Sequence, residues 1–259
     1  MSMRIVEPEI LHQRYTVQAG WTRQLRQTLL QNLPIQPGCR LLDVGCGSGV
    51  IAAETLDLHP DVHITGLDID PAILRVAEHE FHPPQLSWSA GDAYALPFQN
   101  GVFDGAFCHF LLLWLQTPAA ALREMMRTLK PGGWLAAFAE PDYGGRIDHP
   151  APPGSVARLQ TEALQAQGAD PFQGRRLRQA FTESGLQEVR CGALSGEWAA
   201  AYDELAFRSE WDTLRRDLAG VLSPRELDAA EAQDRVAWEA GTRILFVPTF
   251  YAIGFLPGA

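Results

Sequence analysis

Apolar positions along this chain change period several times, and the changes mark out its elements. Between residues 9 and 33, Val17, Trp21, Leu25 and Leu29 recur at i, i+4 spacing, which predicts a helix with one apolar stripe. Gly20 lies inside that stretch, weakens it and is a candidate break into two helices. "PIQPGCR" reads as a turn. Short apolar runs then alternate with helix-period stretches: strand "RLLDVG", helix "GVIAAETLDL", strand "VHITGLDI", helix "PAILRVAEHEF", strand "LSWSAGD", strand "VFDGAFCHF", helix "PAAALREMMRTL", turn "KPGG" and strand "WLAAFAE". Pro71 falls in the first turn of its helix, where a missing N–H is harmless.

Strands that alternate with helices of this length predict a parallel sheet covered on both faces. Such a sheet binds ligands beyond the carboxyl ends of its strands, so the informative residues should stand just after each strand. After Glu140 the pattern changes. "PDYGGRIDHPAPPG" reads as a turn-rich loop, followed by helices near 155–167 and 174–184 and a strand near 186–194. Residues 200–242 read as two or more helices, one of them opened by "SPRE" with Ser223 as N-cap, a proline at N1 and Glu226 at N3. The tail "ILFVPTFYAIGFL" returns to strand. The expected division is an N-terminal helical cap segment at 1–37, a sheet core at 38–196, a helical insertion at 197–243 and a final sheet strand at 244–259.

Composition narrows the class. The 259 residues are 46% hydrophobic, enough for a sizeable core, and the formal net charge is −10. An acidic chain is not suited to nucleic acid overall, and the densest basic cluster, "GRRLR" at 174–178, reads as a solvated helix face. Cys39, Cys46, Cys108 and Cys191 are far apart, without a C-x-x-C pair or a signal peptide, which fits free thiols in a reducing cytoplasm. "FLLLWL" at 110–115 is too short to cross a bilayer, and "HEFH" at 79–82 lacks zinc-site spacing, so neither a membrane nor a metal is expected.

The chemistry concentrates at "LLDVGCGSGV", residues 41–50. A strand, a glycine turn and a helix bring backbone close to a ligand, because glycine has no Cβ to hold it off. A plain tight turn would look similar, but three features favour a ligand. The spacing is G-x-G-x-G, and Val50 replaces the last glycine of the dinucleotide pattern. Asp43, at the end of the strand, would repel a pyrophosphate and favour a cation. Asp68, about twenty residues beyond the glycines, can accept from both hydroxyls of a ribose. A ligand with a ribose and a positive centre but no phosphate satisfies all three.

At this point the chain resembles the class I S-adenosylmethionine-dependent methyltransferase family. "LLDVGCGSG" is similar to the family's first motif, "GLDID" to the acidic second and "GDAYALPF" to the third. "FDGAFCHFLL" resembles the fourth-strand motif, and "LKPGGWLAAFAEP" the turn into the fifth strand. The resemblance spans residues 38–141, and an ordered series is far more specific than any one motif. It implies an α/β, Rossmann-like class I methyltransferase fold: a seven-stranded, mostly parallel sheet with helices on both faces, a helical cap, and the last strand antiparallel and inserted near the edge.

The resemblance also implies roles. Gly45, Cys46 and Gly47 would line the methionine part of S-adenosyl-L-methionine, and Asp43 would face its amino group. Asp68 would hold the ribose, Ile69 would pack on the adenine, Asp92 would accept from the adenine amine, and the Ala93 N–H would donate to the ring. His109, at the tip of the fourth strand, would lie near the transferring methyl and is the candidate base; the alternative is a wall of the pocket. Tyr143 and Asp148, in the loop after the fifth strand, are candidate substrate contacts. Glu140 is either a pocket carboxylate or a cap for the turn that follows it. Trp21, Trp198, Trp211 and Trp238 read as packing, and residues 9–33 and 197–242 as a lid over the strand tips.

Base-methylating enzymes need N/D-P-P-Y after the fourth strand, where this chain has "CHFL", and metal-dependent catechol enzymes need a cluster of acids there. A small-molecule acceptor is the remaining reading, with O-, N- and C-methylation all open and a monomer or homodimer expected. The alternatives are an NAD-dependent Rossmann oxidoreductase and a non-catalytic S-adenosylmethionine-binding module.

Overall fold

Neighbouring residues on each central strand bury on opposite faces of one sheet. In the first strand, β1 (Arg40–Val44), Leu42 and Val44 join one core cluster and Leu41 the other. Ala106 and Cys108 are separated in the same way from Phe107 on β4 (Phe103–Cys108), and Leu135 and Ala137 from Trp134, Ala136 and Phe138 on β5 (Leu129–Pro141). A strand with both faces apolar must be covered on both sides, which is the condition for a doubly covered parallel sheet.

The computed structural model of the protein describes residues 7–151, 156–194 and 201–258; Trp198 lies outside them. The remaining sheet strands are β2 (His63–Asp68), β3 (Leu86–Ala90), β7 (Gln187–Leu194) and β9 (Thr249–Phe255). The order is β3-β2-β1-β4-β5-β9-β7, and β9 is antiparallel to both of its neighbours. The expected topology is met: seven strands, mostly parallel, with the last one antiparallel and next to the edge. One face is packed by α4 (Pro118–Thr128) through Leu122 and Met125, and by α6 (Gln173–Glu183) through Leu177 and Phe181. The other face is packed by α2 (Val50–Leu58) through Val50, Ile51 and Leu56, and by the C-terminal turns of α1 (Pro8–Gln31) through Leu29 and Leu30. The helix between β2 and β3 is α3 (Pro71–Glu80).

Four local readings change. Gly20 does not divide α1, which runs unbroken for 24 residues; a helix tolerates one glycine at a modest cost when it is packed along its length. The packed face of α1 overlaps the apolar stripe only in part: Leu29 is buried and Leu25 packs against the core, but Trp21 does not join them. Trp21 is 55% exposed, and the buried positions are Ala19, Thr22, Arg26, Leu29 and Leu30. "KPGG" begins β5 instead of preceding it. Finally, the loop after β5 contains a short strand, β6 (Ile147–His149), which pairs with β8 (Ile244–Phe246) in a separate two-stranded sheet, so the tail holds two strands where one was expected.

Three helices stand beside the sheet: α5 (Val156–Ala166), α7 (Glu204–Asp217) and α8 (Pro224–Glu239). They share a core of their own, with Val156 and Ala163 from α5, Phe207, Trp211 and Leu214 from α7, and Leu227 and Ala230 from α8. The capping box read from "SPRE" is present in both halves: the Glu226 N–H donates to the Ser223 hydroxyl at 3.3 Å, and the Ser223 N–H to the Glu226 carboxylate at 2.8 Å.

Candidate active site

The strand order reverses between β1 and β4, and the crevice beyond their carboxyl ends is where such sheets hold ligands. A cavity of about 220 Å³ opens there. Its floor is Asp43 with the loop Gly45, Cys46 and Gly47. One side is Arg14, Tyr15 and Gln18 of α1. The other is His109 and Phe110 at the tip of β4, Leu111, Leu113 and Trp114 beyond it, Tyr143 and, from α5, Leu164. Residues 201–243 line none of it; α7 packs behind α5, which supplies the wall.

The glycine loop is shaped by contacts that leave it little donor capacity. Gly45, Gly47 and Gly49 all have positive φ, at 71°, 52° and 79°. At Gly47 a second constraint applies: a Cβ there would sit 2.8 Å from the ring of Tyr15, so α1 lies directly on the loop. The N–H groups of Gly45 and Cys46 donate to the Leu67 carbonyl at 2.7 and 3.0 Å, and the Gly47 N–H donates to the Asp68 carboxylate at 2.8 Å. A pyrophosphate site needs those N–H groups free. Here they are occupied, and what the loop and its flank present is carboxylate.

Asp43 is 1% exposed, and its Oδ2 has no hydrogen-bond partner. Burial pushes its pKa well above the usual carboxylate range; the charge of Asp68 adds to the shift and Arg26 opposes it. Asp68 also accepts from the Asp70 N–H at 3.0 Å, and burial outweighs these backbone bonds, so its pKa too is raised. A buried carboxylate with an orphaned oxygen beside a second acid is a site for a cationic, hydrogen-bond-donating group. An ammonium and a ribose diol fit these two acids, and S-adenosylmethionine carries both.

The other expected cofactor residues lie along the neighbouring strand tips, outside the cavity lining. Ile69 follows β2 and is 72% exposed. Asp92 is exposed after β3 and accepts from the Tyr94 N–H at 2.9 Å, while Ala93 packs into the core at 8% exposed. Asp148 is held by Arg146 through contacts of 2.9 to 3.0 Å and does not line the cavity, whereas Tyr143 does. Two of the three "GRRLR" arginines are engaged elsewhere: Arg175 pairs with Asp142 and Arg176 with Asp170. Among the described residues, no group of side chains could hold a metal ion.

His109 is fixed from α1. The Thr22 hydroxyl lies 2.9 Å from His109 Nε2 and accepts from Arg26 at 2.7 Å, with Arg26 itself 3.5 Å from the same ring nitrogen. A guanidinium can only donate, and one of its N–H groups is directed at Nε2, so the network favours Nε2 as the acceptor, with the Thr22 hydroxyl donating to it and the ring proton on Nδ1. Burial, and then the charge of Arg26, hold the imidazole pKa well below 6.5. Phe110, next along the chain, has φ of 54°, a strained value for a residue with a side chain, where the chain turns off β4 into the cavity wall.

Glu140 is a cap, and the turn it caps comes before it in the chain. Fully buried at the tip of β5, it accepts from the N–H groups of Leu111, Leu112 and Leu113 at 3.1, 2.8 and 3.2 Å, fixing the single 3₁₀ turn Leu112–Trp114 that forms part of the cavity wall. Burial outweighs these bonds and raises its pKa to about 7. A carboxyl that holds its proton more tightly folded than unfolded contributes stability below the unfolded value, near 4.5, and loses it as pH rises through about 7. Glu140→Gln removes this titration, so any stability advantage of the natural chain over the variant should shrink, by roughly 3 kcal/mol, from pH 4.5 to 8. Urea unfolding of both proteins across that range checks it; a gap that widens with pH would mean that the three N–H bonds outweigh burial.

Arg14, Tyr15, Gln18, Thr22 and Leu164 were not anticipated as site residues. Thr22 and Arg26 stand at i, i+4 on α1, a polar pair that a solvated helix face would show equally, so the sequence carried no signal for them.

Comparison with known proteins bears on the whole arrangement. A methyltransferase-domain family model matches residues 42–137. An uncharacterised methyltransferase of Schizosaccharomyces pombe is 32% identical over 207 residues, covering 76% of this chain and 73% of that one. A demethylmenaquinone methyltransferase of Renibacterium salmoninarum is 37% identical over 127 residues, 48% of this chain and 52% of its own; the chain spans about half the length of that relative. In shape, the chain is similar to phosphoethanolamine N-methyltransferase 2 of Haemonchus contortus, solved with phosphomonomethylethanolamine and S-adenosylhomocysteine (TM-score 0.59, 16% identity, covering 93% of this chain and 54% of that one). Given a relative matched over most of both chains and a sheet with the expected strand order, the chain belongs to the class I S-adenosylmethionine-dependent methyltransferase family.

Proposed function

We propose that this protein transfers a methyl group from S-adenosyl-L-methionine to a small-molecule acceptor. The observation that carries this reading is Asp43: a buried carboxylate with an unpartnered oxygen, beside Asp68, under a glycine loop whose N–H groups are already occupied. Asp43 holds the ammonium of the cofactor, and Asp68 accepts from the ribose hydroxyls. Ile69, a large apolar side chain left exposed at a strand tip, gives the adenine a surface, with Asp92 and Ala93 at the next tip. When bound, the cofactor supplies a methyl group already activated on a sulfonium. The protein's task is then to align the acceptor and exclude water, and positioning of this kind is worth roughly 7–11 kcal/mol. A demethylmenaquinone methyltransferase among the relatives supports a small organic acceptor. The free thiols Cys39, Cys46, Cys108 and Cys191 suit a reducing cytoplasm, and no helix among the described residues is long and apolar enough to cross a membrane.

Calorimetric titration with S-adenosylhomocysteine should give one site per chain without added metal. Labelled cofactor incubated with a metabolite pool should then transfer its label to a small molecule. Binding without transfer would favour a non-catalytic module. Binding of NADH in place of S-adenosylhomocysteine would favour an oxidoreductase and overturn the proposal.

His109 orients rather than abstracts. Its Nε2 is occupied by the Thr22 hydroxyl, and a pKa well below 6.5 leaves little basicity near neutral pH. His109→Gln should therefore keep kcat within about tenfold and preserve the acidic limb of the pH profile. A fall of roughly 10²–10⁴-fold with loss of that limb would restore the base role.

A further inference from the structure

The cavity contains one cation with no partner. Arg14 projects from α1 into the lining, and among the described residues it makes no hydrogen bond or ion pair; its Nε is buried and unsatisfied. The other guanidiniums of this region are occupied: Arg26 by Glu54, Arg146 by Asp148. A guanidinium is a permanent cation that can only donate; here Nε is shut off from water without an acceptor while the half-buried side chain faces the cavity, which suits a ligand that supplies the acceptor.

The surroundings say which end of the cavity this is. Arg14 acts electrostatically on Tyr143 and on Tyr15; the cation that acts on Asp43 is Arg26. Arg14 therefore lies within electrostatic reach of Tyr143, and also of Tyr15, whose ring packs on the glycine loop. An amino acid carries its ammonium and carboxylate on one carbon, so a methionine group anchored at Asp43 keeps its carboxylate near Asp43. Around Tyr143 the wall is apolar: Phe110 and Tyr143 pack on Leu113, Leu164 and Ala169, with Trp114 beside them.

Resting on the methyltransferase reading above, we propose that Arg14, with the phenol of Tyr143, is an anion seat for the methyl acceptor, which is a flat apolar molecule bearing a carboxylate or phenolate. The aromatic wall takes the body of the acceptor and the guanidinium takes its charged oxygen. A guanidinium–carboxylate pair in a partly desolvated site discriminates strongly against the neutral analogue, because the neutral form leaves Arg14 unpaired.

The test uses the full chain, with and without saturating S-adenosylhomocysteine, and three probes followed by fluorescence: naphthoate, naphtholate and neutral naphthylmethanol. The natural protein should bind naphthoate at least about tenfold more tightly than naphthylmethanol. The naphthol probe, measured on both sides of its own ionisation at about pH 9–10, should bind more tightly as naphtholate; equal affinity of the two forms would exclude a phenolate-bearing acceptor. Arg14→Met should erase the preference for charge and leave affinity for S-adenosylhomocysteine within about threefold, and Arg14→Lys should restore part of the preference. Arg14 has no intramolecular bonds to lose, and circular dichroism confirms that each variant folds. Two results would overturn the seat: a charge preference that survives in Arg14→Met, or a tenfold loss of S-adenosylhomocysteine affinity in that variant, which would give Arg14 to the cofactor's carboxylate. Failure of the natural protein to bind S-adenosylhomocysteine would count against the methyltransferase reading instead, while the probes on the unloaded chain still report on Arg14.

Discussion

Asp43→Asn is expected to weaken S-adenosylhomocysteine binding by at least about tenfold and to abolish the proton release that accompanies it. In the free protein, burial and the nearby charge of Asp68 keep the Asp43 carboxyl protonated well above its usual range. An ammonium brought to Oδ2 favours the charged form, so the proton leaves as the ligand arrives. Proton release on binding means that affinity rises with pH through the window between the bound and free values of Asp43. Asparagine keeps the shape but has neither a charge to offer nor a proton to lose. Calorimetry at a series of pH values from about 5 to 8, in buffers with different ionisation enthalpies, reads the proton count directly. Adenosine separates the two acids: it has a ribose but no amino-acid group, so its binding should survive Asp43→Asn and fall at least about tenfold in Asp68→Ala. Equal proton release by the natural protein and Asp43→Asn would remove Asp43 from the amino-group site.

The roles of Asp43 and Asp68 could be framed from sequence because each depends on a short stretch of chain. A strand, a turn and a helix occupy about twenty residues, and their pattern of apolar positions and glycines is local. The same holds for the sheet: once strands and helices alternate, handedness and burial leave few topologies. The wall of the cavity was harder to read, because it is assembled from pairs distant in sequence. Trp21 lies on the apolar stripe of α1 yet points to solvent, while Thr22 and Arg26 are buried. Nothing within α1 reveals that; the reasons are Glu54 on α2 and His109 after β4. Glu140 was legible as a carboxylate with one of two roles, but the turn it caps lies about 28 residues earlier in the chain. Strand β6 is only three residues long, and its partner β8 is nearly a hundred residues away, beyond the reach of periodicity. Arg14 was invisible for a related reason. An arginine on a helix normally marks the solvated face, and only the fold shows that this one faces a cavity and has no ion-pair partner among the described residues.

The helix that carries Arg14 is pinned to α2 by a buried ion pair, and the largest stability loss is expected there. Glu54→Ala should destabilise the protein by about 3–5 kcal/mol, more than Arg26→Met, although both break the same pair. Glu54 accepts from Arg26 and also from Arg23, at 2.9 and 2.6 Å. The two arginines differ in their access to water: the Arg23 side chain is 51% exposed and that of Arg26 only 1%. Without Glu54, Arg23 turns to solvent, but Arg26 is left as a buried charge with no anionic partner, held by the Thr22 hydroxyl, the Ala19 carbonyl and the long contact to His109 Nε2. Without Arg26, Glu54 keeps Arg23, and a methionine fills the vacated space with apolar surface. The double variant should then be more stable than Glu54→Ala alone, because it removes the stranded charge along with its partner. Urea unfolding of the four proteins at neutral pH closes the cycle. Additive losses would mean that Arg26 and Glu54 do not depend on each other, and that apolar packing through Leu29 and Leu30 alone holds α1 over the site.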